Sequence, residues 1–294
     1  MLRSLPVSGK LLVFLGAFCW SLNSPLVKYL ALDPFLICAL RSLIAGIVLL
    51  PFLRPKEIFW SRYLVLYTVC YCALCLSVIV SLSLTTAVIA VGMQYTATAW
   101  LFFLACLQSR RFPVKSFLPV LVIMTGVVCF MLSGGSGDSH PVGNAIALTE
   151  GIFFAGMSIF SKKVTKTNAL GITALGNAVT ALVVFSLFPS ARLALPLMTT
   201  MQWGLMLLLG IVQVAAGYGL YNLGIQKISA QKASLLALWE MILGPLWVAL
   251  FLQLIPSPMV LLGLSIILLG MFLDSRLDKR SPKACLEEKK CLDV

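Results

Sequence analysis

Polar and apolar positions along this chain do not alternate residue by residue; they come in blocks. Ten mostly apolar blocks follow one another, at 11–27, 35–53, 63–82, 86–107 and 116–133, then 142–161, 169–189, 201–226, 233–254 and 257–273. About 20 apolar residues at 1.5 Å per residue carry a helix through roughly 30 Å of hydrocarbon, so each block is a spanning length. Strands of a membrane barrel would instead show alternation over segments of about ten residues. The pattern predicts an all-α integral membrane protein of ten transmembrane helices. Within the blocks the acidic and basic side chains reduce to Arg41, Glu150 and Glu240.

Composition agrees: the 294 residues are 60% hydrophobic and 11% charged. A soluble domain carries about 45–50% apolar and about 25% charged residues, so this chain lacks the polar surface to coat even one. Disorder, a collagen-like fibre and a disulfide-stapled secreted module are excluded. The first block follows Arg3 and Lys10, which invites reading it as a cleaved signal. No small-x-small site follows it and nine further blocks do, so it reads as a retained helix.

Charge tests the count independently, because cytoplasmic loops are enriched in Lys and Arg. With the N-terminus cytoplasmic and sides alternating, cytoplasmic stretches hold 19 of the 22 Lys and Arg. These include Arg110, Arg111 and Lys115; Lys162, Lys163 and Lys166; and six in the tail from Arg276 to Lys290. Lys28 and Arg192 fall outside, and Arg41 lies within a block. Both termini are therefore expected in the cytoplasm. The net charge of +12 is spread in small groups over every cytoplasmic turn. It orients the chain and contacts lipid headgroups rather than nucleic acid.

Cysteine adds little chemistry. Cys70, Cys72 and Cys75 include a C-x-x-C, but in a lipid-embedded helix a free thiol behaves as a small apolar residue. Cys285 and Cys291 sit in the tail, and the single histidine, His140, falls on the opposite face. No metal site and no cofactor are predicted. No P-loop, GxSxG or HExxH occurs, so ATP-driven pumping and hydrolysis lack residues to perform them. Energy would come from a gradient of substrate or protons.

The blocks repeat. At an offset of 135, Gly16, Phe18 and Lys28 recur as Gly151, Phe153 and Lys163. Each half closes on a Pro-containing loop, a long apolar run and a late glycine: Phe112-Pro113 to Gly126, and Pro256-Ser257-Pro258 to Gly270. Five is odd, so the second half must enter the membrane upside down. Two inverted five-helix repeats can exchange inward-open and outward-open states, which is the architecture of many secondary transporters. The expected organisation is a cytoplasmic N-terminus at 1–10, repeats at 11–133 and 142–273, and a tail at 274–294.

Gly16-x3-Trp20-x2-Asn23-x4-Lys28, with Arg41 on the second helix, resembles the opening of an EamA-type repeat of the drug/metabolite transporter superfamily. Leu235-Leu236-Ala237-Leu238-Trp239-Glu240-x4-Pro245, then Pro256-Ser257-Pro258 and Gly263, is similar to that family's closing block. The resemblance covers about residues 10–273. It implies transport of a small-molecule substrate across a bacterial plasma membrane, with amino acids and related amines leading. The chain departs from the pattern at Ala99-Trp100, where the family commonly has Pro. It departs again at Gln108-Ser109-Arg110-Arg111 and Phe251-Leu252-Gln253-Leu254, where a Glu is usual. Those acids would lie near the membrane surface, so the departures bear on gating more than on fold.

A charge at the bilayer centre costs about 2.5–3.5 kcal/mol on insertion scales, so it survives where it meets a cavity or a partner. Arg41 and Glu150 lie at similar depth, roughly 10 Å in, and can pair across the two halves. Glu240 enters from the cytoplasmic side by roughly 12 Å. It is the candidate for a substrate ammonium contact or for proton coupling, against a role as a helix-packing residue bonded to backbone. Trp20, Asn23, Gln94, Tyr95, Trp100, Asn177, Gln213, Tyr218, Asn222 and Trp239 form a candidate lining, although mid-membrane Asn and Gln serve equally as interhelical glue. Pro25 and Pro245 remove backbone hydrogen bonds in the first and ninth helices and are candidate bends. The expected function is alternating-access transport of a zwitterion between Glu240 and Arg41. A nucleotide-derived cargo such as S-adenosylmethionine or a sugar nucleotide is the rival within transport. A non-transporting membrane enzyme or assembly factor is the rival outside it.

Overall fold

A computed structural model of the chain describes residues 7–53, 58, 60–110, 112–132, 140–164, 167–252 and 257–279. Arg3, Arg54, Lys56, Arg111, Lys166, Gln253, Pro256 and the tail beyond Lys279, with both its cysteines, lie outside these residues. The described residues form helices and no strand. In the first half these are α1 (Gly9–Trp20), α2 (Asn23–Leu30), α3 (Pro34–Leu49), α4 (Arg62–Leu84), α5 (Ala87–Gln94), α6 (Ala97–Ser109) and α7 (Val114–Leu132). The second half holds α8 (Pro141–Lys163), α9 (Ala169–Leu187), the short α10 (Pro189–Ala194), and α11 (Thr200–Leu208). It continues through a π-helical stretch, Leu209–Ala216, into α12 (Gly217–Ile225), α13 (Ala230–Ala237), α14 (Trp239–Leu252) and α15 (Pro258–Lys279). α15 runs past the block end at 273, because the charged residues after Leu273 continue the helix beyond the apolar stretch.

Helix starts are set by short polar side chains that bond the first free backbone N–H groups. Asp33, Ser61 and Thr86 cap α3, α4 and α5 in the first half. Asn168, Thr199 and Ser229 cap α9, α11 and α13 at the corresponding places in the second. The repeat is therefore written in the caps as well as in the glycines.

Eight helical stretches are long and apolar enough to cross a bilayer, and Ser116–Leu132 is a shorter apolar helix. The ninth predicted block divides into α13 and α14 at Leu238, which leaves two pieces of 8 and 14 residues. Large apolar side chains face outward along every long helix, among them Ile47, Val69, Phe103, Leu107, Leu182, Leu250 and Phe272. The polar side chains Asn23, Arg41, Glu150, Asn177, Gln213, Asn222 and Glu240 are buried inside. Apolar outside and polar within is the distribution a lipid solvent demands, and the protein is an integral membrane protein.

The halves interleave. α1 packs on α12 as α8 packs on α4, while α3 meets α9 and α7 meets α15. Glycine allows the closest of these approaches. A Cβ on Gly126 would lie 2.9 Å from the carbonyl oxygen of Gly263, and one on Gly263 would lie 3.0 Å from that of Gly126. Asn222 ties four elements together: it accepts from Ser161 Oγ at 2.7 Å, and its Nδ2 donates to Tyr67 Oη and Thr173 Oγ1 at 2.9 Å each. Asn222→Ala would strand those partners in a dry interior at a cost of about 1–3 kcal/mol. A lowered Tm in detergent with unchanged substrate preference is the expected result; a changed preference at an unchanged Tm would reassign Asn222 to the lining.

Candidate functional site

Two of the helices divide at equivalent positions. α5 gives way to α6 at Tyr95-Thr96, and α13 gives way to α14 at Leu238. A break in a buried helix frees carbonyls that then need donors. The two breaks supply each other: the Tyr95 hydroxyl donates to Glu240 Oε2 and shares its one hydrogen with the Ala237 carbonyl, 2.7 Å from Oη. One turn along, Thr98 Oγ1 and Ser234 Oγ lie 2.8 Å apart. Paired interruptions in corresponding segments of two repeats are the usual pointer to a transporter's binding site.

Arg41, the eighth residue of α3, reaches toward the same region and is 1% exposed. Its Nη1 donates to Asn23 Oδ1 at 2.9 Å and to Gln213 Oε1 at 3.3 Å, and its Nη2 donates to the Cys75 carbonyl at 3.2 Å. Both side-chain acceptors sit at irregular backbone. Asn23 opens α2 just after the chain breaks at Ser21-Leu22, and Gln213 lies in the π-helical stretch. Every one of these acceptors is neutral, and Arg41 Nε, also buried, has no hydrogen-bond partner. Glu240 lies within electrostatic reach of the guanidinium.

Aromatic rings wall this region. Trp20 sits 4.7 Å from Tyr218, 5.0 Å from Tyr221 and 5.8 Å from Phe154, centroid to centroid, and Tyr218 lies 4.8 Å from Tyr71. Trp20 Nε1 is buried without a hydrogen-bond partner. Sequence reading missed Tyr67, Tyr71, Phe154 and Tyr221. A signal for two of them was there: Tyr67, Tyr71 and Cys75 recur every four residues and so share one face of α4.

Among the residues singled out from sequence, Arg41, Glu240, Tyr95, Asn23, Gln213, Trp20 and Tyr218 gather around this region, and Gln94 is buried beside Tyr95. Asn177 and Asn222 are bound into helix contacts instead. The Asn177 amide donates to Tyr71 Oη at 2.7 Å and to the Thr173 carbonyl at 2.9 Å. Trp239 is half-buried, edge-on to Phe14 at 5.4 Å. Trp100 is 43% exposed and faces outward. It therefore does not line the interior, because the break at Tyr95-Thr96 sets where the following face of α6 points. The Arg41–Glu150 pair does not form: Glu150 hydrogen-bonds Ser81 of α4, and Arg41 is held by neutral acceptors. Pro25 lies in the first turn of α2, where its missing N–H accounts for the break at Ser21-Leu22. Pro245 sits inside α14, seven residues after the break at Leu238, and does not make it. Nor do the described residues contain a cluster of His, Cys, Asp and Glu that could hold a metal ion.

The family model of EamA-like transporters matches the sequence twice, over residues 7–132 and 141–276. The chain belongs to the EamA-like transporter family. An EamA-like protein is an integral membrane transporter of small molecules, and its two matches coincide with the two interleaved halves. A solved crystal structure 18% identical to this chain superposes with a TM-score of 0.73, over 94% of this chain and 99% of its own. That likeness speaks to the fold alone. Among curated proteins none matches the chain.

Proposed function

We propose that this EamA-like protein is a secondary transporter that moves an amino acid or related amine by alternating access across a bacterial plasma membrane. Ten helices would cross as two inverted five-helix repeats, with both termini cytoplasmic. The basic loops support that orientation, and the matched caps and breaks of the two halves support the repeat.

The observation that carries the substrate class is the condition of Arg41. A guanidinium in a dry interior is costly without an anion, yet its hydrogen bonds go to two amides and a carbonyl, with Nε unpartnered. A substrate carboxylate is the missing anion, and guanidinium binds carboxylate through paired N–H donors. Glu240 receives the ammonium end, which displaces Tyr95 Oη from the carboxylate. The faces of Trp20 and Tyr218 add cation–π attraction. Displacing Tyr95 also removes the donor from the Ala237 carbonyl, so occupancy loosens the bond that joins the two helix breaks. Those breaks are where the halves would rock to exchange access.

A nucleotide-derived cargo would bring phosphate or an extra positive charge. Arg41 is the one buried basic side chain among the described residues, which disfavours phosphorylated cargo. The test is a ligand-stabilisation screen of the purified protein against a metabolite library, followed by uptake of labelled hits in proteoliposomes. Zwitterionic amino acids should raise Tm by mass action, and Glu240→Gln should abolish both stabilisation and uptake. Hits confined to phosphorylated compounds, or uptake indifferent to Glu240→Gln, would overturn the reading.

A further inference from the structure

The substrate reading leaves one buried acid without work. Glu150 is 0% exposed on α8, and the whole of its hydrogen bonding is with Ser81 Oγ of α4, which is also fully buried. Its second oxygen, Oε2, has no partner. Among the described residues no basic side chain hydrogen-bonds Glu150. The titratable groups on the elements packed against α8 are Arg62, Tyr63, Tyr67, Tyr71 and the thiols of α4, Cys106 of α6, Tyr218 and Tyr221 of α12 and Lys232 of α13, with Tyr95 between α5 and α6. Arg62 opens α4, a full helix length from Ser81, Lys232 lies in the first turn of α13, and the charged group within electrostatic reach of Glu150 is another acid, Glu240.

Counting protons separates two forms of Glu150. Ser81 Oγ owns one hydrogen but touches two acceptors, the Val78 carbonyl at 3.1 Å and the Glu150 carboxyl. A carbonyl only accepts. If Ser81 donates to Val78, as a serine inside a helix ordinarily donates to the preceding turn, the bond to Glu150 needs a hydrogen from Glu150 itself. A neutral carboxylic acid supplies it and leaves Oε2 as an uncharged carbonyl oxygen, which tolerates the lack of a donor. A carboxylate would instead sit in a dry seam with a single neutral donor and no cation.

We propose that Glu150 and Ser81 form a proton-binding latch that holds α8 against α4. The contact joins the last turn of α4 to the third turn of α8, and toward the helix ends it is reinforced by Thr85 Oγ1 donating to Asn144 Oδ1 at 2.6 Å and by His140 N–H donating to the Leu84 carbonyl at 3.0 Å. On the orientation proposed above, that end faces outward. Loss of the proton would leave an uncompensated charge in the seam, which only parting the two helices and admitting water relieves. The related seam between α1 and α12 has no such acid, since the position 135 residues before Glu150 is Leu15. The two seams therefore differ in their response to protons, and one side of the membrane controls the latch.

The latch deepens the transport reading but does not depend on which substrate is carried. Infrared difference spectroscopy on the full-length protein in lipid tests it, with the proton as the only ligand. At neutral pH the wild type should show the carbonyl stretch of a protonated carboxylic acid in a dry site. Glu150→Gln, which keeps the shape of the neutral acid, should lose that band with helical content unchanged, the comparison being made in a Glu240→Gln background so that the other buried carboxyl does not contribute. Ser81→Ala should displace the band, and Glu240→Gln should leave it in place. Absence of the band at neutral pH, its survival in Glu150→Gln, or its indifference to Ser81→Ala overturns the latch. A protein that shows the band yet carries no amino acid keeps the latch and loses the substrate reading.

Discussion

Arg41→Met should leave the protein folded and remove its affinity for amino acids. Methionine fills much of the guanidinium's volume and relieves the interior of a charge that costs about 2.5–3.5 kcal/mol to insert. Against that relief, Asn23 Oδ1, Gln213 Oε1 and the Cys75 carbonyl each lose a donor. An unsatisfied buried acceptor costs about 1–3 kcal/mol, so the two effects act in opposite directions and Tm should move modestly. Binding has no such compensation. Truncating one side of a buried, hydrogen-bonded charge pair costs about 2–5 kcal/mol, roughly thirtyfold or more in Kd. Arg41→Lys should fall between, because a single ammonium keeps the charge but cannot span acceptors on α2, α4 and the π-helical stretch at once. The measurement is stabilisation by the screened amino acid beside uptake in liposomes. Uptake by Arg41→Met within twofold of wild type would remove the ground for a zwitterion.

A second substitution should act on the fold and not on the site. Gly263→Val places a Cβ 2.7 Å from Phe130 N, 2.9 Å from Phe130 Cα and 3.0 Å from the Gly126 carbonyl oxygen. All three are backbone atoms, so no side chain can swing aside and α7 must part from α15. Overpacking of this kind typically costs about 1–3 kcal/mol, and valine adds two methyls beyond the clashing carbon. Thermal unfolding in detergent should show a large fall in Tm or no recoverable protein. Gly204→Ala and Gly244→Ala are the controls. A Cβ at either meets nothing within 4 Å, and alanine in a helix interior is favoured by about 1 kcal/mol over glycine. Equal behaviour of Gly263→Val and the two controls would show that α7 and α15 are not in tight contact.

The site was only partly visible beforehand, for reasons that differ by residue. Arg41, Glu150 and Glu240 stood out because charge in hydrocarbon is rare, whichever way a helix faces. Their partners did not stand out. That Glu150 meets Ser81 and Arg41 meets Gln213 depends on how α4, α8, α3 and the π-helical stretch are rotated about their axes. Trp100 shows the same limit, since a tryptophan in an apolar run reads alike whether it faces lipid or interior. Pro245 is the converse case. A proline marks a weakened helix, but the actual break fell at Leu238, where the backbone of α13 and α14 is met by Tyr95.

The amino-acid order by itself determined that this is a helical membrane protein in two related halves, with three charges buried in its spans. Hydrocarbon can solvate neither charges nor unpaired backbone, so length, polarity and loop charge leave few alternatives. Which of those charges share a site was decided by tertiary structure alone. Helix rotation, the glycine contacts and the meeting of two broken helices place Glu240 near Arg41 and give Glu150 a different hydrogen-bond partner, Ser81, because partners at these distances come from segments far separated along the chain.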